Sequence, residues 1–129
     1  MLRVNRILCN ILATALEFAT ISSSNVKVWV NFIGTGTVSI RDDLNVSSIT
    51  DNGTGDYSVN FTSALADANY SVVGCFREDT SGGTGQTTNR CFGIRRDTSC
   101  VTTSLVRVGC ATFAADATDA ETVYVGIFR

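Results

Sequence analysis

The sequence predicts an all-β protein, an antiparallel β-sandwich or jelly-roll-like barrel of about eight short strands, preceded by an N-terminal arm or short helix. Three observations carry that expectation. Apolar and polar residues alternate along much of 25–129, as in Val26-Lys-Val-Trp-Val-Asn-Phe32, and a period of two marks a strand with one buried face. Val, Ile, Thr, Phe and Tyr are frequent, and Ser and Thr stand where a helical protein would carry Glu, Lys and Gln. Turn residues recur every 8–12 positions or roughly so. With no Pro in the chain, these turns must be made by Gly, Asn, Asp and Ser.

Each element follows from its own residues. Val26, Val28, Val30 and Phe32 form one face of a first strand, with Lys27, Trp29, Asn31 and Ile33 on the other. Gly34-Thr-Gly36 reads as a turn, Thr37 to Arg41 as a returning strand with Val38 and Ile40 inward, and Asp42-Asp43 as a second turn. Leu44, Val46 and Ser48 then alternate with Asn45, Ser47 and Ile49. Asn52-Gly53, inside Asp51-Asn-Gly-Thr-Gly-Asp56, is the preferred pair for a tight hairpin whose two central residues need positive φ. Tyr57, Val59 and Phe61 form one face of the next strand, and Ala64 to Asn69 a connection with room for one helical turn.

Tyr70 to Phe76 is nearly continuous apolar sequence, the pattern of a central strand. Arg77 to Arg90 is the longest polar stretch and reads as an exposed loop around Ser81-Gly-Gly-Thr-Gly85. Cys91 to Arg95 is a strand, 96–99 a turn, and Cys100 to Val108 supplies one or two further strands. After an acidic loop of small residues, 114–121, Thr122 to Phe128 closes the chain with Val123, Val125 and Ile127 on one side.

Residues 1–24 differ in character. Arg3 and Arg6 precede a mostly apolar run from Ile7 to Ile21, and three serines follow. That outline fits a cleaved secretory signal. It also fits an amphipathic docking arm, because Ile7, Ile11, Leu12, Ala15, Leu16 and Ala19 recur at spacings of three and four. The residues alone leave both readings open; as a docking arm, 1–24 would grip a partner through Val4, Ile7, Ile11, Leu12 and Leu16, ahead of a β-sandwich domain over 25–129. The apolar run is too short and too interrupted to span a membrane.

Composition excludes several chemistries. The chain has no His, the commonest general base and metal ligand, and its serines lie in no G-x-S-x-G context. The carboxylate pairs Asp42–Asp43, Asp51–Asp56, Glu78–Asp79 and Asp116–Asp119 all fall in expected turns, where Asp serves turn geometry. The 51–56 loop has oxygen ligands for Ca²⁺ but lacks the regular spacing and terminal Glu of an EF-hand loop, so a plain hairpin turn is the favoured reading. Five Cys, at 9, 75, 91, 100 and 110, include no C-x-x-C, so zinc is disfavoured. Small buried apolar thiols are the favoured reading, and disulfides among the last four are the alternative. With 10 basic and 12 acidic residues the net charge is −2, which argues against a nucleic-acid partner. The expectation is a protein without catalytic residues, cofactor or bound metal. The asparagines of four N-x-S/T triplets, Asn45, Asn52, Asn60 and Asn69, matter only in a eukaryotic secretory pathway. Arg77, Arg90, Arg95, Arg96 and Arg107 read first as solvated strand edges and second as contacts for acidic groups. Trp29 reads as a core or interface residue before a sugar-stacking one.

Two long segments resemble bacteriophage tail-fibre-type virion proteins. They are Val28-Trp-Val-Asn-Phe-Ile-Gly-Thr-Gly-Thr-Val-Ser-Ile-Arg41 and Asn45-Val-Ser-Ser-Ile-Thr-Asp-Asn-Gly-Thr-Gly-Asp-Tyr-Ser-Val-Asn-Phe-Thr62. Asp67-Ala-Asn-Tyr70 and Val123-Tyr-Val-Gly-Ile-Phe-Arg129 are similar to the same family, and Arg3-Val-Asn-Arg-Ile7 is so more weakly. The resemblance implies a non-enzymatic structural protein on the particle surface, at tail or capsid. It would be a homotrimer, attached to other phage structural proteins through residues 1–24 as a retained docking arm, and in contact with a host glycan or protein. The surface loop around Thr80, Gly82, Gly83, Thr84 and Gln86 is the segment then displayed outward. A long fibre shaft is missing, which keeps a capsid decoration (cement) protein as the alternative, gripping the head shell through its arm.

Overall fold

The computed structural model describes residues 26–77, 90–112 and 114–129. The expected docking arm (Val4, Ile7, Ile11, Leu12, Leu16), the surface loop (Thr80, Gly82, Gly83, Thr84, Gln86) and Cys9 all lie outside the described residues. The described chain forms eight strands: β1 (Val26–Ile33), β2 (Ser39–Leu44), β3 (Val46–Gly53), β4 (Asp56–Phe61), β5 (Ser71–Arg77), β6 (Arg90–Ile94), β7 (Leu105–Thr112) and β8 (Thr122–Phe128). They make two four-stranded antiparallel sheets, ordered β2-β1-β8-β5 and β3-β4-β7-β6. Of the two architectures expected from the sequence, this is the sandwich. Among the described residues no helix is long and apolar enough to cross a membrane.

Alternation places the core. Val28, Val30 and Phe32 of β1 meet Tyr57, Val59 and Phe61 of β4, Val106, Val108 and Cys110 of β7, and Val123, Val125 and Ile127 of β8. All are nearly or fully buried. These are the two central strands of each sheet, so the centre of the sandwich is built from β-branched and aromatic side chains that fit a pleated surface. Phe32 and Tyr57 meet edge to face, with ring centroids 5.2 Å apart, the favoured aromatic geometry. Phe61 and Tyr70 do the same at 6.2 Å.

Five local expectations are corrected. Asp42 and Asp43 do not turn: they pair in β2 with Asn31 and Val30. The corner to the second sheet falls at Asn45, whose φ is 60°, a conformation Asn tolerates better than most residues. Asn45 is anchored there, donating from Nδ2 to Ser63 O (3.1 Å) and accepting at Oδ1 from Ser63 N (2.8 Å). The alternation Leu44-Val46-Ser48 is broken by a bulge between Val46 and Ser48. As a result Val46 and Ile49 point inward while Leu44 is exposed.

The 51–56 hairpin turns two residues later than expected. Gly53 pairs with Asp56, leaving Thr54-Gly55 as the loop, and Gly55 at φ 62° supplies the left-handed residue. A second bulge lies between Asp51 and Gly53. The extra residue at Asn52 shifts the register and carries the turn forward.

The run at 70–76 is an edge strand. β5 hydrogen-bonds to β8 alone. Val72 and Phe76 pack on the core, but Val73 is 54% exposed. The connection before β5, 62–70, contains no helical turn. Its Leu65 and Tyr70 cover one end of the core, with Tyr70 Oη donating to Thr102 O or Leu105 O.

Candidate functional site

The outer faces of the two sheets differ in chemistry. On the first sheet, register aligns Leu44, Trp29, Gly126 and Val73 in one row and Asp42, Asn31, Tyr124 and Cys75 in the next. Leu44, Val73, Tyr124 and Phe128 are 40–54% exposed. Gly126 lacks a side chain between Trp29 and Val73, which opens a groove of about 530 Å³ lined by Trp29, Asn31, Val73, Cys75 and Tyr124. Asn31 Oδ1 is buried there without a hydrogen-bond partner, and an unsatisfied buried acceptor is destabilising until a donor reaches it. Scattered exposed apolar residues are ordinary, but a contiguous aromatic set is the mark of a contact surface.

The outer face of the second sheet is polar. Asn60 Nδ2 donates to Ser48 Oγ (3.1 Å) and Thr50 Oγ1 (2.9 Å), and Asn52 Nδ2 to Ser58 Oγ (2.9 Å). These cross-strand amide–hydroxyl bonds tie edge strand β3 to β4. Further along, Asp56 is buried beneath two guanidinium groups. Arg107 donates to it in a fork, Nε to Oδ1 at 2.7 Å and Nη2 to Oδ2 at 2.9 Å. Arg95 Nε lies 3.0 Å from Oδ2. The Arg107 hydrogen bonds hold the Asp56 carboxyl below its ordinary value, against the opposing effect of burial, and Arg95 adds to the lowering. Beside this cluster Gly93 of β6 stands opposite Gly109 of β7. The bare backbone there leaves a recess of about 500 Å³, with Arg95, Arg96, Arg107 and Asp97 among its lining residues.

A depressed carboxyl pKa stabilises the fold only while the carboxyl is charged. The Asp56 contribution is thus complete above the unfolded-state value near 3.8 and disappears as pH falls through the lower folded value. Asp56→Asn should lower stability by about 2 kcal/mol at neutral pH, the scale of hydrogen bonds to a charged group. The gap to the wild type, followed by urea melts from pH 7 to pH 2, should narrow only below about pH 4. A gap independent of pH would show that the Asp56 charge is not what stabilises this corner.

Among the sequence-singled residues, the structure brings Arg95 and Arg107 together around Asp56. Arg77 is elsewhere, paired with Glu121 at 3.1 Å. Trp29 is on the outer face and not in the core. Asp119 has a structural duty, its Oδ1 accepting from Gly55 N (2.8 Å) and Tyr57 Oη (3.0 Å). The Cys expectation divides. Cys100 and Cys110 are buried, as small apolar thiols should be, and burial pushes the Cys110 thiol up to about 12. Cys75 and Cys91 are exposed on outer faces, and none of these four is in a disulfide. Among the described residues no group of three or more Cys, Asp or Glu is placed to hold a metal.

Sequence reasoning missed Asp56, because turn chemistry explains an Asp at that position, and it missed Gly93 and Gly109, which read as ordinary strand punctuation. An unflanked glycine inside a strand was the available signal. In comparisons with known proteins, no family model, no curated protein and no solved structure matches the chain.

Proposed function

We propose that this protein is a structural component of a bacteriophage particle. In this reading it is a tail-fibre-type surface module that attaches to neighbouring virion proteins through the outer face of its first sheet, and it works by contact and not by catalysis. The observation that carries this is the exposed set Leu44, Val73, Tyr124 and Phe128 on the face that holds the half-buried Trp29 and the Gly126 groove. A face of this kind, with a buried acceptor awaiting a donor, suits a partner that brings apolar surface and a polar group together. The resemblance of 28–41 and 45–62 to tail-fibre-type proteins supplies the setting. A trimer and a host-facing loop belong to the same reading.

Particle association tests it. The double variant Val73→Lys/Tyr124→Lys places two charges on exposed positions, so the melting temperature should hold within a few degrees, since exposed substitutions change stability by about 0.5 kcal/mol or less. Burying those charges in an interface would be unfavourable, so incorporation into purified particles should fall at least tenfold by quantitative gel. Normal incorporation of the double variant would remove this face from the attachment. The copy number on the same gel separates tail from shell, with tens of copies or fewer expected for a fibre and hundreds for a cement protein. Absence of the wild-type chain from particles would refute both placements.

A further inference from the structure

Gly93 is a glycine that the fold does not require. It lies inside β6, outside the left-handed glycines Gly36, Gly53 and Gly55. No atom is within 4 Å of the point where its Cβ would stand. A glycine inside a strand sacrifices packing and backbone entropy, and it often marks a place where a ligand approaches the backbone. Its partner Gly109 has a structural reason to be bare. A Cβ there would sit 3.0 Å from Arg95 Cδ and 3.7 Å from Arg95 Nη1, so its absence lets Arg95 lie across the sheet and reach Asp56.

The recess above this glycine pair carries an excess of positive charge. Arg95, Arg96 and Arg107 line it with Asp97, while Asp56 lies beneath as counterion to Arg95 and Arg107. Arg96 makes no ion pair among the described residues. Arg95 spends its Nε on Asp56, and its Nη1 stands over Gly109 on the recess side. Asp56 is therefore a positioning residue: buried and doubly held by Arg107, it fixes the Arg95 guanidinium in place. Cys91 and Ala111 close the other end with small side chains.

We propose that this recess binds a carboxylated sugar, a uronic-acid unit of an acidic polysaccharide. Its carboxylate is taken by the guanidinium groups of Arg95 and Arg96, its ring lies against the flat backbone of Gly93 and Gly109, and a hydroxyl donates to Asp97. The volume is in the range of small-ligand sites, about 300–1,000 Å³, larger than a lone carboxylate side chain fills. The site rests on local geometry and stands whether or not the chain is carried on a particle.

Titration of the full chain with trigalacturonate, read by amide chemical shifts, tests this. Saturable shifts are expected at Gly93, Gly109 and Ala111, with none from the neutral trigalactose. Arg96→Gln should weaken binding about tenfold, the effect of losing a hydrogen bond to a charged group. Gly93→Val should abolish binding by filling the recess, with the melting temperature unchanged or raised, because the side chain meets open space and Val favours strands. If Gly93→Val proves unstable, the Arg96→Gln affinity and the shift map decide the matter. Equal binding of the neutral sugar, shifts away from β6 and β7, or full affinity in Arg96→Gln would each overturn the proposal. So would saturation by a tetra-aspartate peptide without a response to the sugar.

Discussion

Gly55→Ala should destabilise the protein by about 4 kcal/mol, combining left-handed strain with overpacking, each of which contributes about 1–3 kcal/mol. Gly55 has a φ of 62°. Its Cβ would fall against backbone, reaching Cys110 O, Thr118 O at 2.7 Å and Thr118 N at 2.8 Å. Backbone atoms cannot swing aside as a flexible side chain would. The clash also lies on a junction, since Gly55 N donates to Asp119 Oδ1 and Gly55 O accepts from Cys110 N. Gly36 is the internal control. Its φ is 64°, yet nothing lies within 4 Å of its Cβ position, so Gly36→Ala should lose only the conformational part, about 1 kcal/mol. Urea melts of the two variants measure the steric part by difference. Equal losses would show that the close approach of the 53–56 turn to β7 does not occur. Against a typical total of about 5–15 kcal/mol, the Gly55 variant should be largely unfolded at moderate temperature.

Tyr57→Ala should lose a similar amount, about 3–5 kcal/mol, the range for emptying a buried aromatic position. Tyr57 is fully buried and packs edge to face on Phe32. Its hydroxyl proton is shared between Gly34 O at 2.8 Å and Asp119 Oδ1 at 3.0 Å. Burial and the neighbouring Asp119 carboxylate both raise the phenol pKa well above its ordinary value, so the group stays a neutral donor at any physiological pH. Three connections meet here: the β1–β2 turn at Gly34, the β3–β4 turn through Gly55, and the loop before β8 through Asp119 and Ala120. Tyr57→Phe keeps the ring and removes the proton, so it should lose about 1–2 kcal/mol and loosen those connections first. Hydrogen exchange of the Gly34 and Gly55 amides checks this. Unchanged protection in Tyr57→Phe would mean that the shared proton does not hold this end of the sandwich together.

Legibility in the sequence varied with the range of the interaction. Val28-Val30-Phe32, Tyr57-Val59-Phe61 and Val123-Val125-Ile127 were readable as inward faces, because alternation is a property of the extended chain itself. Asp42-Asp43 and Asn52-Gly53 misled for a common reason. Turn propensity is a local preference, and a bulge or a strand pairing overrides it by a residue or two. Only the strand that lies beside a segment decides which of several plausible turn residues does the turning: Asn45 and not Asp43, Gly55 and not Gly53. The run at 70–76 misled differently, since a continuous apolar strand suits a centre or an edge equally until its neighbours are known. Of the candidate recess, Arg95, Arg96 and Arg107 were visible as a concentration of charge. Asp56 was hidden by its place in a turn-rich stretch, 51 residues from Arg107.

By itself, then, the amino-acid order determined that this chain is built of strands and which side of most of them is apolar. The residue-by-residue alternation of side chains needs no partner to express itself. Tertiary structure alone decided which strands lie at the edges, that Trp29 and Tyr124 share an outer face, and that Gly93 meets Gly109 beside a buried carboxylate. Those outcomes depend on pairing between distant segments, whose register is set by the packing of the whole sandwich and is written in no single stretch of it.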